Sequence, residues 1–321
     1  MTIVSVTNLK KVYGEFNAVD GISFDIKRGE IFVFLGPNGA GKTSTINMLI
    51  GLSRPSAGTL YIDGIDGIKS IKKAQSIMGI VADESNLYDE MNGFDNLCFC
   101  ASLYGMRKVE REKRANELLE QFGLKNAGKR PFKAYSKGMR RKLTIAAGII
   151  HHPKILFLDE PTTGIDVESA RQIRSLILAM KRQGTTVFIT THYIEDAQRI
   201  CDRIAFVVSG KIVKSGTVNE LMENAEHEHI IKLTLNDSLN GIKAELNRTF
   251  PSLQFEVKEE NYCLISSSAP VALSPILQYL DNRGISVFEA KELRPTLEDV
   301  FVRITGIETG KLQKDKEGGK K

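Results

Sequence analysis

The sequence predicts an α/β fold built on a parallel core sheet, and three observations carry that prediction. Residues 31–35 (Ile-Phe-Val-Phe-Leu) are a short, wholly apolar run that ends at a glycine-rich loop. Residues 155–158 are a second such run and end in Asp159 and Glu160, and residues 186–190 are a third, ending in Thr191 and His192. Helical stretches separate them. Apolar strands of this kind belong to sheets covered on both faces, where ligands gather at the carboxyl ends of the strands.

The loop after the first run reads Gly36, Pro37, Asn38, Gly39, Ala40, Gly41, Lys42, Thr43 and Ser44, and it matches G-x-x-x-x-G-K-[ST] without a gap. A helix with Ile46, Leu49 and Ile50 on one face follows. The glycines let the backbone curl so that several N–H groups point at one phosphate chain, and the helix adds the positive end of its dipole. Lys42 is placed to reach the β- and γ-phosphates, and the Thr43 hydroxyl to hold Mg²⁺. A ligand-free glycine turn is the competing interpretation, and the flanking strand and helix argue against it. Asp159 is expected to bind Mg²⁺ directly or through water, and Glu160 to polarise a water for attack on the γ-phosphate. His192 closes its strand on the same edge, within reach of that phosphate.

Composition sets the frame. At 321 residues the chain is long enough for two domains. The formal charge is +5, but residues 310–321 hold five lysines against Asp315 and Glu317, so +3 of it sits there. The body is nearly neutral, and no nucleic-acid partner is expected. No apolar run approaches the ~18 residues of a membrane span, and the N-terminus lacks the regions of a signal peptide. The expected location is the cytoplasm. Cys98, Cys100, Cys201 and Cys263 have no zinc-ligand spacing and are expected to be reduced.

The remaining elements follow in order. Strands at 3–6 and 22–26 flank a turn at Tyr13-Gly14, and a strand at 59–62 joins them in a small antiparallel sheet. Tyr13 is a candidate for stacking on an adenine ring. A parallel strand at 77–82 leads into Asp83. The pattern is helical from 92 to 150, with Ser136 where an N-cap belongs. A hairpin turns at Ser209-Gly210. From residue 227 onward the order is β-α-β-β-α-β, which predicts a ferredoxin-like appendage, followed by a helix at 296–304. The expected domains are 1–226, with a helical part at about 87–150, then 227–307, and a disordered Lys-rich tail at 308–321.

Taken together, residues 1 to about 225 resemble the ATP-binding subunits of ABC transporters. Residues 36–44 match the Walker A loop, 155–160 the Walker B strand with its glutamate, and His192 the switch histidine. Asp166 matches the acid of the D-loop, and Tyr13 falls where the family places its adenine-stacking aromatic. Residues 135–139 (Tyr-Ser-Lys-Gly-Met) occupy the signature usually written L-S-G-G-Q: Ser136 and Gly138 match, and Lys137 replaces a glycine. Asp83 aligns with the glutamine of the Q-loop. The segment 295–301, with Leu87-Tyr88 and Tyr104-Gly105, is similar to ABC-2 type exporters such as the daunorubicin-resistance group.

The resemblance implies a P-loop NTPase (RecA-like) core with antiparallel and helical subdomains, ATP and Mg²⁺ as cofactors, and a head-to-tail homodimer in which Ser136 and Gly138 act in trans. It places Asp83 near the metal and the attacking water. It also implies a separate membrane permease, received by the helical region near 83–135, which would hold the chain at the inner face of the membrane. Two other classes stay open here: a soluble ABC ATPase moving protein or nucleic acid, and a small-molecule kinase.

Overall fold

The computed structural model describes residues 1–84, 87–223, 229–236, 242–259, 262–293 and 296–307. The chain opens with a hairpin, β1 (Thr2–Tyr13) and β2 (Phe16–Lys27), in which Tyr13 lies opposite Phe16. Both strands are longer than the sequence predicts. Register shifts between Val6 and Leu9 and again before Val12 bend the pair and interrupt the strict alternation that marks a strand in sequence. β3 (Ile31–Leu35) is buried at every position and leads through the glycine loop into α1 (Lys42–Leu49). β4 (Ala57–Ile62) pairs with β1, and β5 (Ile65–Asp66) with β4, giving an antiparallel sheet of order β2-β1-β4-β5. A short helix, α2 (Ile71–Gln75), precedes β6 (Met78–Val81).

The helical stretch holds α3 (Gly93–Leu103), α4 (Lys108–Gln121) and α5 (Lys137–Gly148). Asn92 caps α3 by accepting from the Asp95 amide at 2.8 Å, and Ser136 caps α5 by accepting from the Met139 amide at 3.3 Å. Then come β7 (Ile155–Asp159), α6 (Val167–Arg182), β8 (Thr186–Thr191), α7 (Ile194–Ile200), β9 (Arg203–Val208), β10 (Lys211–Gly216) and α8 (Val218–Glu223). The central sheet has the order β10-β9-β3-β8-β7-β6, parallel throughout except for β10 at one edge. Its core is aromatic. Phe32 and Phe34 from β3, Phe157 from β7 and Phe188 from β8 are fully buried, and Phe24 of β2 reaches across to them, 5.0 Å from Phe34 between ring centroids. That contact fastens the antiparallel sheet to the parallel one.

Two compact units divide the chain: Met1–Val218 with Phe301–Lys321, and Asn219–Val300. The division falls earlier than residue 226, and residues 224–228, where the sequence reading set its boundary, lie outside the described residues. The second unit contains β11 (His229–Leu235), α9 (Lys243–Thr249), β12 (Gln254–Glu259), β13 (Tyr262–Ser267), α10 (Leu273–Asp281) and β14 (Val287–Leu293). Its antiparallel sheet runs β12-β13-β11-β14, the ferredoxin-like order. Ile231, Leu233, Phe255, Ile265, Ile276 and Leu280 form a core of its own. The last helix, α11 (Leu297–Thr305), straddles the division. Phe301–Ile307 belong to the first unit, where the Phe301 ring meets Phe206 edge-on at 5.2 Å. Residues 308–321, read as a disordered tail, lie outside the described residues.

Phe188 touches four other rings, so Phe188→Ala should lower the unfolding free energy by about 3–5 kcal/mol. Chemical denaturation should show an earlier midpoint at an unchanged slope.

Candidate nucleotide site

The loop at 36–44 joins the end of β3 to the start of α1, and its residues 38–44 line a pocket of about 260 Å³ with Phe16, Ala18, Asp83 and Glu160. Two glycines have separate reasons to be there. Gly39 has φ +77°, a left-handed conformation with open space around it, so only the backbone demands glycine. Gly41 has φ +95°, and a Cβ there would stand 2.4 Å from the Ala18 carbonyl oxygen, so backbone and packing both demand it. The result is a curled backbone leading into a helix N-terminus, a fit for a phosphate chain. Lys42 is buried at the pocket floor, its Nζ 2.7 Å from the Gly36 carbonyl oxygen, 3.1 Å from that of Pro37 and 3.5 Å from Glu160 Oε1.

The acidic pair is set by the pairing of β7 with β8. Asp159 lies opposite Thr190, whose hydroxyl donates to Asp159 Oδ1. The Glu160 amide donates to the Thr190 carbonyl at 3.0 Å. Glu160 takes φ +47°, a region an L-residue rarely enters, and this turns its side chain back toward Lys42. Burial raises the Asp159 carboxyl above the usual carboxylate range, with Glu160 and Asp83 adding to the effect against hydrogen bonds from Thr190 and Thr43. Burial pushes Glu160 the same way, but His192 and Lys42 outweigh it and hold the carboxyl low. The two neighbours therefore differ: the surroundings of Glu160 favour its charged form, and those of Asp159 oppose it, so that a cation would relieve the Asp159 charge. His192 is buried, with Nδ1 2.9 Å from Glu160 Oε2 at ion-pair distance, though not in hydrogen-bond geometry. Thr163 donates to the same oxygen at 3.0 Å.

Thr43 and Asp83 line the pocket and Asp159 takes a hydrogen bond from the Thr43 side chain, a set of hard oxygen donors suited to Mg²⁺. Other sequence-predicted residues lie elsewhere. Tyr13 does not line the pocket. Its hydroxyl is 3.4 Å from Ser53 Oγ, Lys11 Nζ lies 4.7 Å over its ring, and the pocket aromatic is Phe16 across the hairpin. Ser136 and Gly138 sit at the start of α5, away from the pocket of their own chain. Asp166 caps α6, accepting from the Ser169 amide at 2.8 Å and its hydroxyl at 2.7 Å. A Cβ on Gly138 would stand 2.1 Å from that same Ser169 Oγ, so the signature start is packed against the D-loop helix.

Three contacts were not read from the sequence. Phe16 is one of two aromatics flanking the hairpin turn, and nothing in the spacing favoured it over Tyr13. Arg141 donates to the Ala82 carbonyl at 2.7 Å and to that of Asp83. It had a visible signal: it lies three residues after Gly138 and four before Ile145, an arginine on the buried stripe of α5. Asp196 of α7 is buried between the Thr162 hydroxyl and Arg174 of α6, tying the helix after His192 to the helix after Asp166.

A parallel sheet that brings a phosphate cradle and two unlike buried carboxylates to one edge, with helices inserted between β6 and β7, is the arrangement of an ATP-binding cassette. The ABC transporter family profile matches residues 19–163. The doxorubicin resistance ATP-binding protein DrrA of Mycobacterium tuberculosis is 35% identical over 316 residues, 96% of this chain and 95% of that protein. The linearmycin resistance ATP-binding protein LnrL of Bacillus subtilis is 34% identical, covering 95% of this chain and 98% of that protein. The solved dimer of the cassette MJ0796 in a post-hydrolysis state with ADP and Pi superposes with a TM-score of 0.62 at 27% identity, covering 67% of this chain and 98% of that one. The chain belongs to the ABC transporter ATPases, in the ABC-2 type exporter group of ATP-binding subunits.

Gly138→Ala forces the Ser169–Asp166 cap apart and should cost about 1–3 kcal/mol of stability. Its own Walker A loop is untouched, so equilibrium nucleotide binding by the monomer should hold within about twofold while the melting midpoint falls.

Proposed function

We propose that this chain is the ATP-hydrolysing motor of an ABC-2 type efflux transporter, working as a head-to-tail homodimer with a separate membrane permease. The observation that carries the reading is the Lys42–Glu160–His192 constellation, a low-lying carboxylate held beside a phosphate cradle by a buried lysine and a histidine. In this reading the loop amides and Lys42 bind and orient the phosphates, and Glu160 takes a proton from the attacking water at its carboxylate. His192 fixes the Glu160 side chain and faces the γ-phosphate. Thr43, Asp159 and Asp83 would hold Mg²⁺, which supplies charge neutralisation to the phosphates when bound. Phe16 lines the phosphate pocket, and Tyr13 remains the proposed ring for stacking on the base.

Ser136 and Gly138 lie off their own pocket, which supports their acting on the ATP of a second copy, and the two-copy MJ0796 structure supports the same arrangement. No helix among the described residues is long and apolar enough to cross a membrane. A partner permease is therefore proposed to carry the cargo and to hold the chain at the cytoplasmic face of the membrane. The near-full-length likeness to drug-resistance subunits favours export over a soluble ATPase acting on protein or nucleic acid.

Glu160→Gln keeps the shape of the side chain and loses the base. Steady-state hydrolysis should fall by about 10²–10⁴-fold while ATP binding persists. Sedimentation should show an ATP-dependent dimer that the native chain holds only transiently, and near-native turnover in the variant would remove Glu160 from this role. Co-purification from native membranes should recover a multi-helix membrane protein with the full chain, and recovery of only soluble proteins or nucleic acid would favour the rival.

A further inference from the structure

Asp83 and Arg141 meet at the rim of the nucleotide pocket. Arg141 is buried to 8% exposure on α5, the helix that begins at Ser136. Its fork makes two kinds of contact. It donates to the carbonyls of Ala82 and Asp83, which fixes the loop after β6, and one nitrogen lies 3.4 Å from Asp83 Oδ1, which opposes the charge of that carboxylate. Asp83 is half-exposed and shares the pocket lining with Lys42, Thr43 and Glu160. The rim thus presents a negative charge toward the place where a polyphosphate enters, with a buried cation directly behind it. Burial works against the charge of Arg141, while Asp83, Asp159 and Glu160 all favour it, so the guanidinium sits in the field of every carboxylate in the pocket.

A neutral side chain at residue 83 would need no such cation. We propose that Arg141 is a positioning residue that masks the charge of Asp83 as the nucleotide phosphates enter, and so links the signature helix to the phosphate pocket of the same chain. The proposal rests on the reading of this pocket as the ATP site. The carbonyl contacts alone make Arg141 a brace. The carboxylate contact makes it a counter-charge, and the two roles separate experimentally.

The test is equilibrium titration of the full chain with ATP and with ADP in the presence of a chelator, so that no metal offsets Asp83. Arg141→Gln should weaken ATP binding about tenfold, the effect of exposing one partly screened charge near the γ-phosphate, and ADP binding clearly less. Arg141→Gln combined with Asp83→Asn should return ATP binding to within about twofold of Asp83→Asn alone. Arg141→Lys keeps the charge and loses the fork, and it should keep most of the ATP affinity. Failure of Asp83→Asn to rescue, or equal losses for ATP and ADP, would show a brace only and overturn the proposal. Should Arg141→Gln not fold, Arg141→Lys still decides, because a tenfold loss in that variant contradicts charge masking. A native chain that binds no ATP would instead sink the underlying site assignment.

Discussion

Every part of the site depends on one register, the parallel pairing of β7 with β8. Asp159 opposite Thr190 places a hydroxyl on one carboxylate, puts the next amide on the Thr190 carbonyl, and brings Glu160 beside His192, the residue after β8. A slip of one residue would exchange the faces of the strand and send Phe157 and Phe188 out of the aromatic core. The core and the chemistry are therefore specified by the same hydrogen-bond ladder. The phenylalanines that contribute most apolar area also fix which polar groups emerge at the strand ends.

The charges at those ends are unlike by construction. Lys42 and His192 flank Glu160 and favour its anionic form, whereas Asp159 has neutral hydroxyl partners and two acidic neighbours. Two adjacent residues at one strand end thus differ in proton affinity, because Glu160 takes a left-handed conformation that turns it toward Lys42 and His192, whereas Asp159 stays in the strand facing Thr190. That division matches what a hydrolytic site needs, a ready base beside a place for a cation.

Much of this was legible in the sequence, for reasons that can be named. The glycine loop, the apolar core strands and the Ser136 cap are local patterns, fixed by backbone conformation and by the neighbours of each residue in the chain. The element order of the second unit was legible because β11 and β13 alternate along their length, although β14 is exposed at nearly every position. What escaped depended on distant segments meeting. Phe16 rather than Tyr13 reaches the pocket because of where the hairpin lies over the loop, which neither residue encodes. Arg141 stands out on the apolar stripe of α5, but what it meets there shows only when β6 is seen to end beside it. The long first strands were cut short because bulges break the two-residue period.

The return of the chain at Phe301 makes the accessory unit an insertion rather than a tail. Residues 219–300 leave the first unit at one covalent point and re-enter it at another, where Phe301 is fully buried against Phe206. A segment held at both ends has less orientational freedom than one held at a single end. Ending the chain anywhere between 219 and 300 would also strip a buried aromatic, Phe301, from the unit that holds the nucleotide pocket. The natural seam for separating the two units is thus a pair of cuts with a bridging linker, and a single stop codon would confound loss of the appendage with damage to the motor.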